Sequence, residues 1–379
     1  MVIFMILITL ILYIILNFYV GIRVLLWLNT FSDNINNVIF GILYVLCAIS
    51  FFVAYAAPRF KFTKYIKIIS GYYMGALIYL LIFLLMFDFF RLVFKYTKII
   101  PNNELYSEKT IILSGAIIFI MVASTVLYGA YNARNIQVKN YSIKIDKYEK
   151  SNKSLNIAMI SDIHMGDIIT YKDIEKITTK INSLSPDVIL ISGDVFDGDY
   201  YAVEDIHEIE GLFKNLESKY GTYAVLGNHD AGASYNKMVE FFYKANIKLL
   251  QDENICVSNE FILSGRKDGS PIGEQGEARK SIKELLKNID HNKPIIMMDH
   301  QPTSIDEAEL NNVDLLLSGH THKGQLFPGN LITNKLFLVD YGYLRVNNLN
   351  IIVSSGVGTW GPPIRICSKS EIVNIKLEY

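Results

Sequence analysis

The chain has 379 residues, 51% of them hydrophobic, and a formal net charge of −1, which is more than one ordinary compact domain needs. The near-neutral total hides a basic front and an acidic back: residues 1–132 carry nine Lys/Arg against four Asp/Glu and are otherwise mostly Ile, Leu, Phe, Val and Tyr. No Lys/Arg-rich run marks a nucleic-acid surface, which argues against that partner. Cys47, Cys256 and Cys367 show no metal-finger spacing and read as buried small hydrophobes.

Four apolar stretches, near 2–22, 38–57, 69–90 and 111–131, each approach the roughly 20 residues that cross a bilayer. The first lacks a basic start and a small-residue cleavage pattern, so it reads as a retained span rather than a signal peptide. Pro58 closes the second, and Trp27, Tyr65 and Tyr96 lie near span ends, where amphipathic rings favour the interface. Arg59, Lys61, Lys64 and Lys67 follow span two, and Arg134, Lys139, Lys144 and Lys147 follow span four. Both groups fall on the side of the C-terminal half. Arg91, Lys95, Lys98 and Lys109 fall on the other, and Arg23 also counts that way. The balance leans towards a cytoplasmic C-terminal domain. Asp88 is the one acid deep in a span. It is expected near the interface, paired with Arg91, rather than on an ion path.

Residues 133–152 read as a linker. From 153 to 379 short apolar strands alternate with amphipathic helices, as in an α/β domain. Strands are expected at 155–160, 188–192, 222–226, 295–298 and 313–317, and helices at 168–184, 204–220 and 236–245. After Leu331 the pattern becomes strand-rich, while 264–276 shows no pattern and reads as a long functional or flexible loop.

Histidine is rationed: none precedes His164, and five of the seven fall in short motifs. The motifs are Asp162-Ile163-His164, Gly193-Asp194, Gly227-Asn228-His229-Asp230, His300 and Gly319-His320-Thr321-His322. Each follows an expected strand, where α/β domains gather ligand groups. His207 reads as a surface residue, and His291 lies in a polar turn.

Two divalent ions about 3.5–4 Å apart can clamp the attacking and leaving oxygens of a phosphoryl displacement. Such a site needs a bridging carboxylate, further oxygen and nitrogen ligands, and a place for solvent. Asp194 suits the bridge. Asp162 with His164 can reach one ion together, and His320 and His322 can each point at one ion. Asn228 offers a neutral oxygen, and His300 completes the second shell. A nitrogen and oxygen set without thiolate suits catalytic Mn, Fe, Zn or Mg rather than structural zinc.

In this order the motifs resemble those of the calcineurin-like metallophosphoesterase family, over residues 153–379. The resemblance implies a four-layered α/β/β/α sandwich, here preceded by about four transmembrane helices. It implies two metal ions (Mn, Fe or Zn), one held by Asp162, His164, Asp194 and His322, the other by Asp194, Asn228, His300 and His320, with a metal-bridging hydroxide attacking phosphorus. His229 would be a catalytic non-ligand, oriented by Asp230 or Asp197. Asp197 matches the acid of the Gly-Asp-x-x-Asp pattern in the family's protein phosphatases. Gly198 stands where those enzymes carry an arginine, which disfavours a Ser/Thr protein phosphatase.

Gly319–Pro328, with Ser354–Arg365, looks like a membrane-tethered bacterial subgroup that usually reads Gly-His-Thr-His-Gly-Gly-Gln. Lys323 replaces the first of the two glycines after the second histidine, and is either a substrate-phosphate ligand or a solvated loop lysine. Arg266 and Asp268 are expected at the cleft. Trp360, with Pro362 and Pro363, either rims an apolar substrate or packs ordinarily. The overall expectation is a membrane-anchored phosphoesterase. Its partners would be the bilayer and a phosphorylated, lipid-linked or envelope substrate, such as a phospholipid, nucleotide-sugar lipid or polyisoprenyl phosphate. A non-catalytic membrane sensor of a phosphorylated ligand is the alternative. A transporter lacks support, because the spans show neither paired charges nor broken helices.

Overall fold

The structure, a computed structural model, describes residues 2–32, 34–56, 59–60, 62–145, 153–270 and 278–379. Pro58, Lys61, Lys147 and residues 271–276 of the expected loop lie outside them. The chain divides into two units: residues 1–130 with 361–364, and residues 131–360 with 365–379.

The first unit contains α1 (Val2–Asn29), α2 (Asn37–Ala56), α3 (Thr63–Thr97), the single-turn α4 (Asn102–Leu105) and most of α5 (Glu108–Arg134). The four long helices are apolar and long enough to cross a membrane, and each outruns its expected apolar window or matches it closely. They expose Leu12, Leu43, Phe119 and Leu127, which only a hydrocarbon solvent covers at low cost. Polar side chains turn inward instead: the Tyr13 hydroxyl donates to Ala48 O at 2.7 Å and the Tyr44 hydroxyl to Asn17 O at 3.0 Å.

Asp88 departs from expectation. Its main partner is Arg23 on α1, with the Tyr19 hydroxyl at 2.6 Å, while Arg91 stands 4.0 Å away. A carboxylate among apolar helices is stabilised by whatever cation the packing brings closest, and that cation is remote in sequence. The cysteines also depart from expectation: all three are exposed. Cys47 sits on an apolar helix whose outer face is not covered by protein.

The second unit begins inside the last turn of α5. Asn132 Nδ2 donates to Arg365 O at 3.0 Å and Ser368 O at 2.6 Å, and Ser370 Oγ donates to Ala133 O at 2.7 Å. Residues 135–136 then lead directly into β1 (Gln137–Lys144). The stretch expected as linker therefore holds a strand, paired in parallel along its length with the last strand, β12 (Glu371–Glu378).

The first sheet continues with β2 (Ser154–Ile160), β3 (Val188–Ser192), β4 (Thr222–Val225) and β5 (Ile247–Leu249), in the order β1-β12-β2-β3-β4-β5. The second contains β6 (Glu253–Val257), β7 (Phe261–Gly265), β8 (Ile295–Met298), β9 (Leu315–Ser318), β10 (Gly342–Val346) and β11 (Leu349–Val353), in the order β10-β11-β9-β8-β7-β6. Alternate residues of each strand serve different layers. Ile157, Met159, Leu190, Leu263, Met298 and Leu317 pack between the sheets. Ala158, Ile160 and Ile191 meet α6 (Tyr171–Asn182), α7 (Ile206–Lys214) and α8 (Tyr235–Lys244) on one outer face. Met297, Leu316 and Ile351 meet α9 (Ile282–Leu285) and α10 (Ile305–Leu310) on the other. The result is the expected α/β/β/α sandwich. One expected strand region is instead helical: α11 spans Gly329–Leu336.

Candidate metal centre

The ends of β2, β3, β4, β8 and β9 carry the five motifs, as the alternation of the sequence implied. The turns that follow are unusual. Asp162, His164, Asp194, His320 and His322 all adopt left-handed backbone, with φ of 52°, 53°, 53°, 71° and 49°. Each such residue costs free energy and persists only where the surrounding structure imposes it, which is why these conformations gather at functional sites. Gly193 (φ 86°) shows the crowding: a Cβ there would stand 2.5 Å from His300 Nδ1.

These turns aim nitrogen and oxygen lone pairs at common points. His164 Nε2 faces His322 Nε2 at 3.1 Å, and His322 Nε2 lies 3.5 Å from Asp162 Oδ1. Asp194 Oδ2 lies 3.7 Å from His164 Nε2 on one side and 3.2 Å from His300 Nε2 on the other. His320 Nδ1 stands 2.8 Å from Asn228 Oδ1. Asp162, His164 and His322 form one group able to hold a cation, and Asp194, His300 and His320 form another. His300 Nε2 is buried without a hydrogen bond, while its Nδ1 is tied to Ser192 O at 2.8 Å. An orphaned buried nitrogen beside a carboxylate, with its other nitrogen fixed by a backbone carbonyl, is the arrangement a metal-binding histidine shows.

The electrostatics fit a cation. Burial disfavours charge on His300 and His164, yet the neighbouring Asp194, and Asp197 for His164, hold both above the usual histidine range. Burial raises the Asp194 carboxyl, but His300 and His164 outweigh it and hold it low. His322 and His320 are pushed down by burial and by neighbouring positive charge.

His229 sits at the rim. Its backbone N–H donates to Asp194 Oδ1 at 2.8 Å, and its ring lies 4.9 Å from that of His164 and 5.9 Å from that of Trp360. Asp197 Oδ1 is 3.6 Å from His164 Nδ1 and 3.9 Å from His229 Nδ1. Asp230, the other candidate to orient His229, is engaged elsewhere. Its fully buried carboxylate accepts the N–H groups of Gly227, Val195 and Phe196 at 2.9, 3.2 and 2.8 Å. Burial pushes its pKa up to about 7. It ties the β3 loop to the β4 loop, which leaves Asp197 as the candidate acid beside the His229 ring.

Arg266 does not line an open cleft. It is 2% exposed, and its guanidinium binds Asp299 Oδ2 at 2.8 Å, Lys280 O at 3.1 Å and Glu307 Oε2 at 3.5 Å. A guanidinium with both ends of its fork engaged inside the protein supports the residue preceding His300 rather than a substrate. Asp268 is buried as well and accepts from Gln301 Nε2 at 2.8 Å. The Lys323 ammonium lies 4.3 Å from the centre of the Tyr341 ring, an attractive cation–π placement. Trp360 is exposed, and its backbone exchanges hydrogen bonds with the Gln325 amide at 2.8 and 3.0 Å. Pro362 and Pro363 group with the first unit. His207 is a surface residue paired with Glu210 at 3.1 Å, and His291 meets only Leu286 O at 3.1 Å.

Arg365 closes the Ser354–Arg365 run, had no role assigned to it from the sequence, and is fully buried. Its guanidinium donates to Gly358 O at 2.6 Å and Gly356 O at 3.2 Å, and lies 3.3 Å from His322 Nδ1. A lone arginine in a Gly- and Pro-rich run was the only available sign.

Residues 155–324 match the family model described as calcineurin-like phosphoesterase. An uncharacterized metallophosphoesterase of Aquifex aeolicus is 32% identical over 260 residues, covering 67% of this chain and 97% of that one. The chain belongs to the calcineurin-like phosphoesterase family. An uncharacterized metallophosphoesterase of Campylobacter jejuni is 30% identical, covering 76% of this chain and 78% of its own length. A Danio rerio protein described as a transmembrane protein with metallophosphoesterase domain is 28% identical, covering 83% and 74%. This phosphoesterase is accordingly a hydrolase of phosphoric ester bonds from a metal-dependent family, and its four apolar helices make it a membrane protein.

Proposed function

We propose that this membrane-anchored phosphoesterase uses two divalent ions to hydrolyse phosphate ester or pyrophosphate bonds in lipid-linked or envelope substrates. The observation that carries the reading is the shared carboxylate: Asp194 Oδ2 faces His164 Nε2 at 3.7 Å and His300 Nε2 at 3.2 Å, as a bridge between two sites requires. Asp162, His164, Asp194 and His322 would hold one ion, and Asp194, Asn228, His300 and His320 the other. Bound there, Mn, Fe or Zn would supply Lewis-acid activation of solvent and phosphate oxygens.

The remaining chemistry belongs to the chain's own residues. The His229 ring, half-buried and held low in pKa by desolvation, would donate an N–H hydrogen bond to the phosphate as charge develops; passing a proton to the leaving oxygen would require the ring to be protonated with substrate bound. Asp197 would orient that ring, and Trp360 would cover the rim against water. The lipid-linked substrate is supported by the apolar helices that keep the enzyme in a bilayer.

The test is a panel of aryl monoesters, aryl diesters and lipid pyrophosphates presented to the full-length protein with added manganese. Turnover that disappears on chelation and in Asp194→Asn supports the proposal. Turnover indifferent to both overturns it, and metal binding without turnover on any substrate favours a sensor.

A further inference from the structure

α11 follows the His320–His322 turn at once and breaks the rule that the second unit's other helices obey. None of its residues is buried. Leu331, Ile332, Leu336 and the adjoining Leu338 are 54%, 59%, 72% and 66% exposed. By contrast α6 buries Ile174, Ile177 and Ile181, and α8 buries Met238, Phe241 and Phe242. Its polar side is the one turned inward: the Thr333 hydroxyl donates to Asp340 Oδ2 at 2.7 Å. The helix is also held firmly beside the metal centre. The Phe337 ring lies 6.1 Å from that of His320. Gly324 (φ 68°) packs so closely on Gly329 and Asn330 that a Cβ would run into their backbone. Four exposed leucine and isoleucine side chains within eight residues of a fixed element mark an interaction surface rather than a loose loop.

We infer that this face docks on the surface of an anionic phospholipid bilayer. Charge supports that occupant. Residues 323–345 contain Lys323, Lys335 and Arg345 against one acid, Asp340, which is buried. Lys335 lies on α11 itself, and an apolar helix face carrying a cation is how short interfacial helices read an anionic membrane. Tethering supports it too. The last turn of the fourth candidate span is hydrogen-bonded into this unit through Asn132 and Ala133, and β1 starts two residues beyond it. No long linker therefore separates this unit from the fourth candidate span in the chain. Docked this way, α11 would hold the His320–His322 turn at headgroup level. That consequence, though not the docking, rests on the lipid-linked substrate proposed above.

The experiment uses full-length protein with Cys47, Cys256 and Cys367 changed to serine and a single cysteine introduced by Leu331→Cys or Leu336→Cys. A bimane label at that position is read in vesicles of phosphatidylcholine and phosphatidylglycerol that carry spin-labelled acyl chains. Tyr243→Cys on α8, 87% exposed in the parent, serves as the aqueous control. Lipid-borne quenching at least twofold stronger at 331 and 336 than at 243, with iodide quenching reversed, supports docking. Equal iodide access at all three positions overturns it, as does protection at 331 and 336 that depends on crosslinking between copies. Size-exclusion profiles matching the parent confirm that each labelled protein is folded. Because the readout needs no substrate, it stands or falls independently of the phosphoesterase assay.

Discussion

The N-terminal helices and the helices of the sandwich solve opposite problems with similar residues. α1, α2, α3 and α5 leave Leu12, Leu43, Leu85, Phe119 and Leu127 outside and turn Tyr13, Tyr44 and Asp88 onto partners on neighbouring helices. α6 and α8 do the reverse, burying Ile174, Ile177, Met238 and Phe241 beneath charged outer faces. The difference is set by solvent: apolar surface leaves water at a gain, whereas in hydrocarbon the gain vanishes and only polar groups need partners. α11 belongs to the second region by connectivity and resembles the first in what it exposes, which is why it attracts a membrane reading.

The sharpest division lies between acids that hold structure and acids proposed to hold metal. Asp194→Asn should cost turnover more than the roughly 10²–10³-fold of one lost charge-stabilising donor, and metal analysis should show both ions lost. If the mutant kept two ions and its rate, Asp194 would be no different in kind from Asp88. Next in size, His229→Ala should lower kcat by about 10²–10⁴-fold while metal content stays at the wild-type level. Joint loss of metal and rate would make it a ligand.

Arg266→Met removes the 2.8 Å partner of the buried Asp299 while Arg279 Nη1 stays 3.1 Å from it, so it should cost less than the about 3–5 kcal/mol of a buried charge left unpaired, read as a lowered denaturation midpoint of the sandwich. A kinetic defect confined to KM, with the midpoint unchanged, would restore Arg266 to the substrate. The comparison of solvents itself predicts the last pair. Phe241→Ala should cost about 3–5 kcal/mol as a cavity in a packed core, whereas Phe119→Ala on α5, 61% exposed to its surroundings, should stay within about 0.5 kcal/mol. Equal losses would mean that protein, not lipid, covers Phe119.

Legibility in the sequence followed burial. β3 and β8 are buried on both faces and stand out as continuous apolar runs bounded by turn residues. β1 reads Gln-Val-Lys-Asn-Tyr-Ser-Ile-Lys and is mostly exposed, so nothing in its composition distinguishes it from a linker. Only its pairing with β12 makes it a strand. β5 and β6 do not stand out for a related reason, since each exposes part of its length; β7 is the exception, buried throughout but ending inside the stretch from 264 that shows no pattern. α11 was misread because its apolar residues have no inward side to set a helical period.

The order of the motifs and the histidine economy determined the chemistry, because a cation needs specific donor types whatever the surrounding fold, and those donors can be read one letter at a time. Which donor faces which was a matter of tertiary structure. So were the engagement of Asp230 with backbone amides, the withdrawal of Arg266 into an ion pair, the partnership of Asp88 with Arg23, and the burial of Arg365 beside His322. Each depends on distances between residues far apart in the chain, and those distances are set by packing rather than by residue type.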